Sequence, residues 1–179
     1  SSRRQRQMCI RDRLYRHVNE QWRPDKIYWR KLHDDQTDTL ICAEEDGGFF
    51  LSMYLSQSEQ LVFLRSSDHV TSEVSYLPID DFSATPVMIS PRSSGHEYDV
   101  EHYQDQLLIR SNLRQPNFDL FTAPLSAHSQ AQWQPFLEGD DNHYLVGHLV
   151  YENHVFVPPS GQRSGSDFGH RSAPTTTLR

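Results

Sequence analysis

The feature that most constrains this chain is a β-hairpin pattern that returns at a nearly constant interval. Residues 91–112 read as a turn, an alternating stretch, a polar turn at 104–106 and a second stretch of apolar residues, with Tyr98, Val100 and His102 alternating against Asp99 and Glu101. Alternation with period two marks a half-buried strand, because successive side chains of a strand point to opposite faces. Tyr103 Gln Asp Gln Leu107 Leu Ile109 aligns with Tyr151 Glu Asn His Val155 Phe Val157 about 48 residues later, and Leu61 Val Phe Leu64 lies about 46 residues earlier. A repeat in the forties matches one propeller blade, because four short strands and their turns use that much chain.

The rest of the chain falls into the same frame. Strand patterns at 14–18, 27–32 and 40–43 find counterparts about 47 or 48 residues on, Leu14 with Leu61, Tyr28 with Tyr76 and Leu40 with Val87. They make three strands of a first unit whose innermost strand is missing. A second unit is complete, with strands at 49–55, 61–65, 73–79 and 86–90, as is a third, at 97–103, 107–111, 117–122 and 132–137. Stretches 144–151 and 154–157 begin a fourth. The fold class expected is all-β, a partial β-propeller of two complete four-stranded blades flanked by two partial ones. A closed ring of six or seven such blades needs roughly twice the 179 residues present.

Hydrophobic content of 36% with 11% aromatic residues supports a packed core, and a net charge of −7 without a basic stripe argues against nucleic-acid binding. The acidic balance reads as a solubility feature. Cys9 and Cys42 form neither a disulfide framework nor a metal motif, which indicates a reducing compartment. No apolar run approaches the roughly 20 residues needed to span a bilayer, and the N-terminal stretch has charges but no apolar signal core. The expected location is cytoplasmic.

Both ends differ from the middle. Residues 1–13 hold five Arg and almost no strand formers, and Met8 Cys Ile Arg Asp Arg13 resembles the translation of a sequencing-library adapter. This segment is set aside as non-native or disordered, the alternative being a basic tail. Residues 158–179 are Ser, Gly, Arg, Pro and Thr with hardly an apolar side chain, and are expected to be a disordered tail or an out-of-frame translation. Residues 14–157 are the β-propeller segment.

Motifs for chemistry are sparse. The chain has no Gly x Ser x Gly elbow, no Gly-rich phosphate loop and no His Glu x x His; Asp167 Phe Gly169 is an isolated triplet in the tail. His96 with His102 and His148 with His154 have spacings that could place each pair on one strand face, but no carboxylate or Cys cluster completes a metal site. Glu44 Glu45 Asp46 and Asp80 Asp81 read as solvated turns, the functional alternative being contacts to a basic peptide or another domain. Trp29 and Trp133 read as wedges between blades. No catalytic, cofactor-binding or metal-ligating residue is assigned, and no cofactor is expected.

Taken in order, Arg23 Pro24 Asp25 Lys26 leading into Tyr28 Trp29 Arg30 Lys31 Leu32, then Glu44 Glu45, Phe49 Phe50 Leu51 Ser52, Ser66 Ser67 through Thr71 Ser72 Glu73 Val74, Pro91 Arg92 through Gly95 His96 Glu97 Tyr98, and Asn117 Phe118 before Leu120 resemble the oligopeptidase B (protease II) branch of the prolyl oligopeptidase family of serine peptidases. The resemblance covers about 14–157. It implies a propeller that caps a C-terminal α/β-hydrolase domain carrying Ser, His and Asp, and hydrolysis of short peptides after Lys or Arg. In that chemistry the Ser hydroxyl attacks the carbonyl, His is the general base, Asp orients it and backbone donors stabilise the oxyanion. None of those catalytic residues matches a position here, so the chain by itself would be inert and its part would be to gate substrate entry. Ser93 Ser94 and His33 Asp34 depart from the family pattern, and the resemblance stops at Pro158 Pro159. Two other readings remain open: a non-enzymatic propeller that binds protein partners, and a β-sandwich without a repeat.

An arc of blades leaves an apolar face at each end and unpaired strand edges, which ring closure would cover. The 179-residue chain alone is therefore expected to aggregate or to be only marginally stable; light scattering checks this, and a compact monomer at high concentration would contradict it.

Overall fold

The computed structural model describes residues 12–31, 38–127, 129–139, 144–151, 154–157 and 176–178. Among the described residues fourteen strands form four antiparallel meanders. The first sheet is β1 (Asp12–Val18), β2 (Pro24–Lys31) and β3 (Thr39–Ala43); the second is β4 (Phe50–Leu55), β5 (Leu61–Ser67), β6 (Ser72–Pro78) and β7 (Val87–Ser90). The third is β8 (Tyr98–Tyr103), β9 (Gln106–Ser111), β10 (Asp119–Pro124) and β11 (Gln134–Leu137), with a 3-10 turn at Gln130–Gln132. The fourth is β12 (Leu149–Tyr151), β13 (His154–Val157) and β14 (Thr176–Leu178). The expected partial propeller of two full units between two incomplete ones is thus the observed architecture.

Four antiparallel strands return the chain to the end where it entered, so every unit is entered and left at one end, here called the entry end. The links 44–49 and 91–97 lie there, with residues 138–139 and 144–148 and the turns between second and third strands. Hydrogen bonds tie these segments to one another: Glu44 N to Asp25 O at 2.8 Å, Ser72 N to His96 O at 3.0 Å and Leu145 N to Asn117 O at 2.9 Å. The turns themselves close on short polar side chains, Asn19 Oδ1 accepting from Gln21 N and Arg23 N, and Asp68 Oδ1 from Val70 N and Thr71 N.

Alternation along the strands divides them between three apolar layers. Val62, Leu64 and Leu77 face the first sheet, packing with Ile27, Leu51 and Phe82, whereas Leu61, Phe63, Val74 and Tyr76 face the third. In the third sheet Leu107, Ile109 and Phe121 complete that middle layer, while Leu108 and Leu120 turn towards Val150, Val155 and Val157 of the fourth. Both faces of a middle sheet are therefore buried, which explains near-continuous apolar runs such as Leu61 to Leu64 and Leu107 to Ile109. Trp133 lies in the middle layer and Trp29 packs against the first.

The middle seam is closed by tyrosine hydroxyls. Tyr54 Oη donates to Val100 O at 2.9 Å, and Tyr76 Oη to Leu125 O at 2.7 Å. Tyr98 Oη donates to Ser90 O at 2.7 Å and accepts from Val74 N at 2.8 Å. Val74 and Ser90 are register partners beside a β-bulge in the β6–β7 ladder, so the hydroxyl occupies the gap that the bulge opens. Burial raises the Tyr98 and Tyr54 hydroxyl pKa values, keeping both as donors.

Some boundaries differ from the sequence reading. β1 begins at Asp12, two residues before the expected start, because Asp12 and Arg13 pair with Lys31 and Arg30. β10 begins at Asp119 rather than 117, since Phe118 adopts φ 65, which no strand accommodates. Gly139 is required beside it, as a Cβ there would meet the Phe118 carbonyl oxygen at 2.2 Å. Within 144–151 only Leu149–Tyr151 is strand, the preceding residues being used to tie the entry-end loops together. In the segment read as a tail, Thr176–Leu178 pair with Val155, Phe156 and Val157; residues 1–11, 158–175 and 179, the Asp167 triplet and the His33 Asp34 departure lie outside the described residues.

Replacing Tyr98 by Phe keeps the packing but leaves Val74 N–H and Ser90 C=O without their buried partner. The expected loss is about 1–3 kcal/mol, read as a lower denaturant midpoint at unchanged slope.

Candidate functional site

A groove of about 500 Å³ lies at the entry end, between the first and second sheets. It is floored by Leu51 and Leu64 and rimmed by Cys42, Glu44, Glu73 and Arg92. Arg92 Nη2 lies 2.5 Å from Glu44 Oε2, 3.2 Å from Ser66 Oγ and 3.7 Å from Glu73 Oε1. Its backbone N–H donates to Glu73 Oε2 at 3.0 Å, and its guanidinium carbon sits 3.9 Å from the centre of the Phe49 ring. The Ser66 hydroxyl also donates to Glu44. Burial acts to raise the Glu44 carboxyl, but Arg92, Ser66 and the Asp46 N–H outweigh it and hold the group below the ordinary carboxylate range.

Glu44 is thus not the solvated turn residue expected: its side chain is 8% exposed and anchors a latch between blades. Glu45 and Asp46, and Asp80 and Asp81, are exposed as read. With Glu44, Glu45 and Glu73 set against Arg92, the groove favours cationic groups. Cys42 lines it, and burial first, then Glu44, push its thiol up to about 11.

The paired histidines separate onto different partners. His96 Nε2 is 2.8 Å from Ser111 Oγ and its Nδ1 is 3.1 Å from Gln130 Nε2, with its ring stacked on Tyr98 at 4.9 Å. His102 Nδ1 is 2.6 Å from Ser58 Oγ, while its Nε2 is buried without a hydrogen-bond partner. His148 lies against Asp99, its Nδ1 3.5 Å from Oδ1, too far and poorly aligned for a hydrogen bond. His154 stands beside Phe156. Among the described residues no three His, Cys, Asp or Glu side chains converge as a metal site.

Two Ser–His contacts invite comparison with a nucleophile and its base. Neither has the required third member: the second nitrogen of His96 meets an amide, and that of His102 meets no partner. Ser111 is fully buried, which leaves a substrate no approach. These contacts hold strands together.

A further cluster was not singled out from the sequence. Asp99 and Arg110 are cross-strand partners in the β8–β9 register, bonded through Nε at 2.8 Å and Nη2 at 2.7 Å. Arg110 Nη1 donates to Leu145 O at 2.7 Å and its guanidinium lies 4.2 Å from the centre of the Phe118 ring. An arginine inside the apolar run of β9, facing an aspartate across a two-residue turn, was the available signal. Arg92 offered none, because its partners are 48 and 19 residues away.

A family model described as prolyl oligopeptidase, N-terminal beta-propeller domain, matches residues 12–162. Protease 2 of Moraxella lacunata is 36% identical over 114 residues, covering 63% of this chain and 16% of that protein. Dipeptidyl aminopeptidase BI of Pseudoxanthomonas mexicana is 26% identical over 124 residues, covering 67% of this chain and 17% of that protein. The solved structure of oligopeptidase B from Leishmania major superposes with a TM-score of 0.77 at 21% identity, covering 84% of this chain and 21% of that one. The chain spans about a sixth of the length of the curated relatives it matches.

Two outcomes follow from the protonation states. Burial lowers the pKa values of His96, His102 and His148, so below about 6.5 the unfolded chain binds protons that the folded chain refuses. Their contribution is complete above that pH and is lost as the pH falls through the folded values; denaturation midpoints should be flat above pH 7 and fall on acidification. In a Cys9→Ser variant, the Cys42 thiol raised to about 11 should react with a disulfide reagent at pH 7.5 roughly a hundredfold more slowly than an unperturbed cysteine.

Proposed function

The chain belongs to the prolyl oligopeptidase family, as part of its N-terminal β-propeller, and on that premise we propose that it is the substrate-gating portion of a serine-type oligopeptidase of the oligopeptidase B kind. The complete protein would hydrolyse short peptides after Lys or Arg, with the catalytic Ser, His and Asp in a C-terminal α/β-hydrolase domain that is the propeller's partner. By itself the chain would be inert. The observation that carries this reading is the match over 12–162 combined with sheets buried on both faces between successive units, the packing a gating ring requires.

The propeller segment is proposed to run over residues 14–157, to which β1 adds Asp12 and Arg13 and β14 adds Thr176–Leu178. Among the described residues no helix is long and apolar enough to cross a membrane, and the cysteine usage supports the proposed cytoplasmic location.

Reading the source DNA across both ends and expressing the complete frame tests the proposal. The expected protein cleaves fluorogenic peptides after Arg or Lys, with kcat/KM falling steeply as substrates lengthen into folded proteins, while the 179-residue chain shows no hydrolysis. A complete frame that closes a ring and stops without a hydrolase domain would favour a non-enzymatic binding propeller instead.

A further inference from the structure

The groove between the first and second sheets carries an unbalanced charge. Glu44, Glu45 and Glu73 line it against a single lining cation, Arg92, so two negative charges lack a counterpart. Arg23, which donates to the Asp46 carbonyl at 2.7 Å, is outside the lining and stands beside the acidic Asp46. The Cys42 thiol, pushed up to about 11, is neutral at physiological pH and adds no charge of its own.

The three carboxylates are not equally committed. Glu44 is spent within the latch: its Oε2 accepts from Arg92 and Ser66, and its Oε1 from Asp46 N–H at 3.0 Å. Glu73 accepts from Arg92 N–H through Oε2, while its Oε1 stands 3.7 Å from Arg92 Nη2, beyond hydrogen-bond length. Glu45 is exposed at the rim. Glu73 and Glu45 therefore retain acceptor oxygens at the groove.

Below that rim the floor is apolar, Leu51 and Leu64 being buried side chains that line it. Carboxylates above an apolar floor suit a long cationic side chain, whose methylene stem covers apolar surface while its charged head stays at the polar rim. The volume of about 500 Å³ is that of a pocket able to hold a small molecule or several peptide atoms beyond one side chain. A bare metal ion suits it less, because among the described residues no three ligating side chains converge. The chain itself shows that the rim accepts a guanidinium: that of Arg92 is held by Glu44 and lies 3.9 Å from the centre of the Phe49 ring.

We propose that the groove is a binding site for a lysine or arginine side chain of a peptide, with the stem over Leu51 and Leu64 and the charge held by Glu73 and Glu45. That the peptide is a substrate rests on the peptidase reading above; the chemistry of the groove does not. On that reading the propeller takes part in choosing basic peptides as well as in limiting their size.

Cys42 lines the groove and reports its occupancy without any hydrolysis. In the complete protein, treated with diisopropyl fluorophosphate to block a catalytic serine, Cys42 is alkylated by iodoacetamide at about pH 8.5 and its labelling rate is followed by peptide mass spectrometry. Acetyl-arginine amide is the probe, and acetyl-citrulline amide, of similar shape without the charge, is the control. The arginine compound at about ten times its dissociation constant should slow labelling of Cys42 roughly tenfold. Added salt should weaken that protection, and the citrulline compound should give none. Glu45→Gln, at an exposed position that the fold does not depend on, should weaken protection, and Glu45→Gln with Glu73→Gln should remove it. Equal protection by both compounds, no protection at millimolar concentration, or protection that survives the double substitution would overturn the site. Hydrolysis of arginyl peptides by the unblocked protein is measured separately. Retained hydrolysis with an unprotected Cys42 would remove the groove assignment and leave the peptidase reading standing, whereas protection without hydrolysis would do the reverse.

Discussion

Three tyrosine hydroxyls that donate to backbone carbonyls across one seam hold the middle of this arc in register. Apolar packing between two twisted sheets is non-directional and would tolerate sliding. Tyr54 on Val100, Tyr76 on Leu125 and Tyr98 on Ser90 remove that freedom, since each bond exists at one relative position of the second and third sheets. Tyr98 carries a second duty, because its hydroxyl also satisfies the Val74 N–H at the β-bulge. The bulge and the seam therefore depend on each other.

Around that seam the remaining structure follows from burial on both faces. A buried Leu or Phe side chain contributes roughly 1.5–3 kcal/mol, and every central strand places such residues in two layers at once. Polar groups drawn into those layers must bring partners. Asp99 with Arg110, His96 between Ser111 and Gln130, and Glu44 between Arg92 and Ser66 all obey this rule. Their geometry resembles that of reactive sites, yet each group spends its hydrogen bonds on neighbouring strands. These groups are spent on holding neighbouring strands and links in place.

The blade frame was legible because it is local. Strand positions from 14 to 157 differ from the observed ones by a residue or two in most units, since alternation and turn residues act within a few positions of one another. The misses have specific causes. Phe118 delays β10 by adopting a left-handed conformation, which its side chain does not announce. Glu44 reads as one of three acidic turn residues, and only the arrival of Arg92 from the next unit makes it a buried anchor.

The sequence by itself determined the all-β class, the repeat length, the order of strands and the identity of the apolar layers, because period-two patterning and turn chemistry are properties of contiguous residues. It also carried enough short signatures to point to the family. Tertiary structure alone decided which polar residues became buried partners, which histidines met which serines, and which carboxylates came together at the groove. Those outcomes join residues 11 to 48 positions apart, and their energies depend on burial and geometry created only when strands and blades pack together.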